Sequence, residues 1–191
     1  MTAGPTAGEL LARLRVRYCG TEALPPKAMS PKAVVLSEVC VPAVYPIGGD
    51  LLVGRDTNAR RIDAVAVNLW ASDGYTLHGH EIKVSRSDLL TELADPAKAQ
   101  AGQRVCDAWW LVLASKDLLR PTDELPPEWG VLVASGGTLR RLRAAVVTPA
   151  TRDPQFVASL LSRSLTSPSW RRSSGYREGY RIAQQRWGRP G

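Results

Sequence analysis

The segment Arg61-Ile62-Asp63-Ala64-Val65-Ala66-Val67-Asn68-Leu69-Trp70 is apolar on both parities. That is the pattern of a central strand buried on two faces. Asp63 is the exception inside it. A carboxylate in the middle of such a strand is costly unless it is paired with a cation or bound to a metal. Asp63 therefore demands a partner, and the neighbouring elements have to supply it.

The flanking sequence predicts those elements. Thr6-Ala7-Gly8-Glu9 fits a capping box, with Leu10, Leu11, Leu14 and Tyr18 following at helical spacing. Ala33 to Val41 is rich in β-branched residues and predicts a strand, closed by Pro42 and Pro46. After the Asp63 strand, Ser72-Asp73-Gly74 predicts a hairpin turn, and Tyr75 to Val84 returns as a strand. Ser85 and Asp88 are spaced to cap one helix. Asp95-Pro96 starts a second, which runs to about Cys106. Ala108 to Ala114 is another buried strand, Val131 to Ala134 and Leu139 to Val147 are two more, and Phe156 to Leu165 is a short helix. The order of helix, three strands, helix and strand, then additions, predicts a mixed α/β or α+β layout.

The returning strand carries Glu81 and Lys83, whose i, i+2 spacing puts both side chains on one face while Ile82 points to the other. In a hairpin, Asp63 faces Glu81 across the ladder, and two carboxylates and one ammonium come together. Two acidic groups suit a hard cation such as Mg²⁺, with the Ile82 backbone carbonyl as a third oxygen ligand. Such an ion activates water and offsets charge on a phosphate, and Lys83 assists. The expected chemistry is phosphodiester hydrolysis.

Arg61-Ile62-Asp63-Ala64, His80 to Asp88 and Cys106 to Val112 together resemble the PD-(D/E)xK nuclease superfamily, which shares the restriction-endonuclease-like fold. The resemblance is nearest to the MmcB-like and phage-encoded DNA-repair nuclease members and covers about residues 6–135. It implies that Asp63 and Glu81 bind the metal, Mg²⁺ or Mn²⁺, and that Lys83 is the catalytic lysine. The proline that names the motif is absent, since Ile62 precedes Asp63. An acidic residue from the first helix or strand often completes the site in this superfamily. Glu9 and Glu38 are the candidates, and the capping role of Glu9 favours Glu38. The implied activity is a Mg²⁺-dependent deoxyribonuclease in DNA repair, recombination or phage DNA metabolism. The alternative is a catalytically inactive DNA-binding or protein-interaction module on the same fold.

The net charge of +7 is unevenly spread. Residues 1–150 hold 17 basic against 16 acidic side chains, whereas residues 151–191 hold eight arginines against Asp153 and Glu178. With Pro149 and Pro154 marking a boundary, this predicts a nuclease-like domain over 1–150 and a basic Arg/aromatic extension over 151–191. In the extension Tyr176, Tyr180, Ala183 and Trp187 share one helical face, with Arg171, Arg172, Arg177 and Arg181 as candidate DNA contacts. Arg86 and Lys98 are further candidates, on the helices after the motif. DNA is the expected partner; the oligomeric state stays open, a homodimer included.

His78 and His80 are spaced to chelate a transition metal but lack a third soft ligand, so they are expected to be ordinary strand residues. Trp109 and Trp110 are expected in the core. Cys19, Cys40 and Cys106 are widely spaced and are expected to be buried, without disulfides. No apolar run approaches membrane-spanning length, and the N-terminus lacks the marks of a secretory signal, which predicts a cytoplasmic protein.

Overall fold

A computed structural model of the protein describes residues 4–20, 32–41, 45–47, 50–52, 60–152 and 154–166. Helix α1 (Ala7–Cys19) opens the chain, followed by strands β1 (Ala33–Val41), β2 (Tyr45–Ile47), β3 (Asp50–Leu52) and β4 (Arg60–Asn68). Strand β5 (Leu77–Lys83) leads into helices α2 (Arg86–Ala94) and α3 (Pro96–Val105). Strands β6 (Ala108–Leu113), β7 (Gly130–Ser135) and β8 (Thr138–Arg143) precede helix α4 (Pro154–Thr166).

Six strands form one mixed sheet in the order β1-β4-β5-β6-β7-β8, and β2 pairs with β3 apart from it. The pairs β5·β6 and β6·β7 are parallel, and the others are antiparallel. A parallel pair needs a crossover, and α2 with α3 forms it between β5 and β6. The expected β4–β5 hairpin is present, turning through a 3₁₀ segment (Ala71–Asp73) and Gly74, whose φ of 67° suits glycine. The Thr6 cap of α1 is also present: the Thr6 hydroxyl accepts from the Glu9 N–H, and the Glu9 carboxylate accepts from the Thr6 N–H at 2.7 Å.

Both faces of the sheet are covered, as the apolar pattern of β4 requires. On one face Leu10 and Leu14 of α1 pack with Ala64, Ala66, Ile82 and Val112. On the other, Leu89 of α2, Val105 of α3 and Phe156 of α4 pack with Ile62, Val65, Leu111 and Val131. Each fully buried side chain of this size contributes about 1.5–3 kcal/mol. Trp109 is buried between Gly79 and Gly102: a Cβ added at either would lie 2.4 or 2.3 Å from its ring.

Two expectations need correction. Part of the segment expected beyond the boundary at Pro149 and Pro154 is not an appendage, because α4 packs into the core; residues 167–191 lie outside the described residues. Phe156 is fully buried, the Ser159 hydroxyl donates to the Cys40 carbonyl at 2.9 Å, and Arg163 Nε donates to the Ser37 carbonyl at 2.7 Å. The three cysteines are free, but only Cys106 is buried; Cys19 is half-buried and Cys40 exposed, since residue 40 falls on the solvent side of an edge strand. Among the described residues no helix is long and apolar enough to cross a membrane.

Candidate functional site

The site forms where β4 parts from β5. Their ladder runs from Val67↔Leu77 to Ala64↔His80 and stops, while β5 continues along β6 to Lys83↔Leu113 and β4 continues along β1 to Val41↔Arg60. Beyond His80, the β4-facing side of β5 has lost its ladder partner. The Asp63 carboxylate takes over there, accepting the Ile82 N–H at 2.8 Å. A strand residue presents its N–H and C=O to the same side, so the Ile82 carbonyl faces the same opening.

Two strands turn over at this point. Glu38 lies between the Ser37↔Ala64 and Val39↔Ile62 pairs, opposite Asp63, with φ at +52°. Before it, Val35 faces α1 and Leu36 the other layer; after it, Val39 faces that other layer, against the alternation. On β4 the same reversal separates Ala64 from Ile62. A left-handed glutamate is an unfavourable backbone state that the surrounding packing must hold in place. The reversal frees Asp63 from the core and aims it at Ile82.

Glu81 and Lys83 share the opposite face of β5 from Ile82, as their spacing requires, and both are about 6% exposed. Lys83 Nζ donates to Glu81 Oε2 at 3.3 Å and lies 2.8 Å from Glu92 Oε2 on α2. Burial first, then the charges of Asp63 and Glu92, push the Glu81 carboxyl up to about 8 against the pull of Lys83. Burial alone would depress the Lys83 ammonium. The hydrogen bond with Glu92 and the charges of Glu81, Glu92 and Asp63 outweigh it, so its pKa stands above that of an ordinary lysine. A cleft of about 480 Å³ opens on Asp63, Ile82 and Lys83 and is also lined by Glu38, Asp88 and Arg163.

Asp63, Glu81 and the Ile82 carbonyl are oxygen donors, the type that a hard cation takes. Burial raises the Glu81 carboxyl first and the Asp63 charge adds to it, a conflict that a proton or a cation would relieve. Among the described residues no group of three or more His, Cys, Asp or Glu side chains is disposed to enclose a metal. Two carboxylates and a carbonyl would leave most positions of an ion to water, as Mg²⁺ commonly has.

The other expected residues fall as follows. Glu38 lines the cleft, but its carboxylate pairs with Arg61 at 3.2 Å in an exposed ion pair. Glu9 is occupied by its cap. Arg86, expected to face phosphate, instead forks onto Asp123 and donates to the Leu118 carbonyl at 2.7 Å, which ties α2 to the loop before β7. Its bidentate partner holds the Asp123 carboxyl at about 2. Lys98 lies on α3, its side chain outside the described residues, as are Arg171, Arg172, Arg177 and Arg181.

His78 and His80 meet Tyr18 of α1. The Ala64 carbonyl can only accept, so His80 Nδ1 donates to it, and Nε2 of the neutral ring accepts from the Tyr18 hydroxyl at 3.1 Å. The Tyr18 oxygen then accepts from His78 Nδ1 at 3.0 Å. Burial lowers the His80 pKa to about 3, which keeps the ring neutral.

Glu92 was missed from sequence. Its signal was available: a carboxylate set between Leu89 and Leu93 on the packed face of α2 needs a partner as Asp63 does.

The fold and site thus define a mixed α/β protein with a carboxylate–lysine cluster at a strand divergence. No protein-family model matches the chain, and no curated protein matches it. Among solved structures it is similar to the SPO1766 protein of unknown function from Silicibacter pomeroyi, with 18% identity and a TM-score of 0.49 over 98% of this chain and 93% of that chain.

Proposed function

We propose that the protein is a Mg²⁺-dependent deoxyribonuclease with a restriction-endonuclease-like core, acting on DNA in repair, recombination or phage DNA metabolism. The convergence of Asp63, Glu81 and Lys83 at the divergence of β4 and β5 supports this reading. Asp63, Glu81 and the Ile82 carbonyl hold the ion. When bound, Mg²⁺ or Mn²⁺ supplies Lewis acidity and offsets the combined negative charge of the carboxylates and the phosphate. Asp63 keeps the edge of β5 open by occupying the Ile82 N–H. Lys83, charged and at the cleft, orients the attacking water and stabilises charge building on the phosphate oxygens.

Incubation of the protein with labelled single-stranded, double-stranded and branched DNA, with Mg²⁺, Mn²⁺ or chelator, tests the proposal. Cleavage in the presence of either ion and none with chelator is expected. Salt-dependent DNA binding without cleavage under any condition would replace it with the catalytically inactive binding module.

A further inference from the structure

We propose that Glu92 is a positioning residue: from α2 its carboxylate fixes the Lys83 ammonium at the cleft, so the lysine keeps its aim when a cation engages Glu81. The inference rests on the reading that Lys83 assists hydrolysis. Lysine is a point charge on a flexible four-carbon stem, and one partner on its own strand leaves it free to swing. Here two carboxylates from different elements triangulate it, Glu81 from β5 at 3.3 Å and Glu92 from α2 at 2.8 Å. The shorter contact is to the residue on α2, outside the proposed ligand set. An ammonium has three N–H donors. With two directed at Glu81 and Glu92, the third is left for an oxygen in the cleft that Lys83 lines. Engagement of Glu81 by a cation would weaken one of the two anchors, and Glu92 is then what keeps Lys83 in place. Its almost complete burial, at 1% exposure between Leu89 and Leu93, allows it little other movement.

The test is a double-mutant cycle of Glu92→Gln and Lys83→Ala in the full chain, read as Mg²⁺-dependent DNA cleavage. Glu92→Gln should lower kcat about 10–100-fold, the usual effect of removing an orienting partner, with KM changed less than about two-fold. In the Lys83→Ala background the same change should cost less than about three-fold, because the group it positions is gone. A second readout needs no metal and no turnover. The Lys83 ammonium should give a sharp ¹H–¹⁵N resonance in the wild type that broadens or disappears in Glu92→Gln. If Glu92→Gln does not fold, Glu92→Asp keeps the charge, withdraws the carboxylate by one methylene and should also lower kcat.

Wild-type kcat in the Glu92 variant, a full multiplicative loss on top of Lys83→Ala, or an unchanged ammonium signal would each overturn the inference and leave the nuclease reading standing. A wild-type protein that does not cleave, or a Lys83→Ala variant that cleaves normally, would bring down both.

Discussion

Asp107→Asn is the substitution whose effect can be worked most fully from the structure. Asp107 is 4% exposed and sits just before β6. Its main chain bonds to the Leu77 carbonyl at 2.7 Å and the Thr148 N–H at 2.8 Å. Its carboxylate accepts from the Leu77 N–H at 2.6 Å, the Ala150 N–H at 2.9 Å and the Arg152 guanidinium at 2.6 Å. One side chain therefore pins the start of β5 and the segment leading into α4. Asparagine keeps one acceptor oxygen but turns the other position into a donor facing donors. A hydrogen bond to a charged group is worth about 1.5–3 kcal/mol, and a donor left without its acceptor costs a similar amount. The Arg152 pair adds little, because that side chain is 40% exposed and screened. The expected destabilisation is about 2–4 kcal/mol, or roughly 5–12 °C in Tm for a chain of this size.

The pH dependence carries a sign. Burial alone would raise the Asp107 carboxyl, but the bonds from Arg152, Leu77 and Ala150 hold it below the ordinary aspartate value. A depressed carboxylate stabilises the fold above its unfolded pKa, and that contribution is lost as pH falls through the folded value. Thermal unfolding followed by circular dichroism should show the gap between wild type and Asp107→Asn closing below about pH 4. Equal Tm values near neutrality, or a gap unchanged at about pH 3, would refute the reasoning.

Phe156→Ala should cost about 3–5 kcal/mol in denaturant unfolding, because α4 is part of the core; a loss below about 1 kcal/mol would contradict that placement. Gly102→Ala would ordinarily favour a helix, yet its Cβ would meet the Trp109 ring at 2.3 Å, so destabilisation by about 1–3 kcal/mol is expected and stabilisation would refute the packing. His80 stays neutral down to about 3 in the fold but protonates near its ordinary value when unfolded. Wild-type stability should therefore decline as pH falls from about 6.5, and His80→Gln should flatten that decline; identical pH profiles for the two proteins would argue against a neutral His80.

What the sequence made legible follows from cost. Asp63 stood out because a carboxylate in a doubly buried strand must be compensated, and the period-two spacing of Glu81 and Lys83 put both on one face. The succession of elements around them along the chain followed from local punctuation: a turn at Asp73-Gly74, a cap at Ser85, Pro42 just past the end of β1. The details that escaped depend on contacts distant in sequence. Arg86 meets Asp123, 37 residues on, and nothing in its own helix announces that pairing. The prolines before α4 mark a change of direction, not the end of the core, because Phe156 returns to pack on the sheet. Nor does a strand pattern reveal that Glu38 takes a left-handed conformation and turns β1 over, since a solvent-exposed glutamate on an edge strand looks like any other.

On the proposed function, Lys83, beside Asp63 and Glu81, serves cation-dependent phosphodiester hydrolysis. The most direct test compares DNA cleavage by wild type and by folded Lys83→Ala with Mg²⁺ present. The rate should be lower by about 10²–10³ for the variant, as for the loss of one preorganised charge stabiliser. Cleavage at the wild-type rate by folded Lys83→Ala would contradict it.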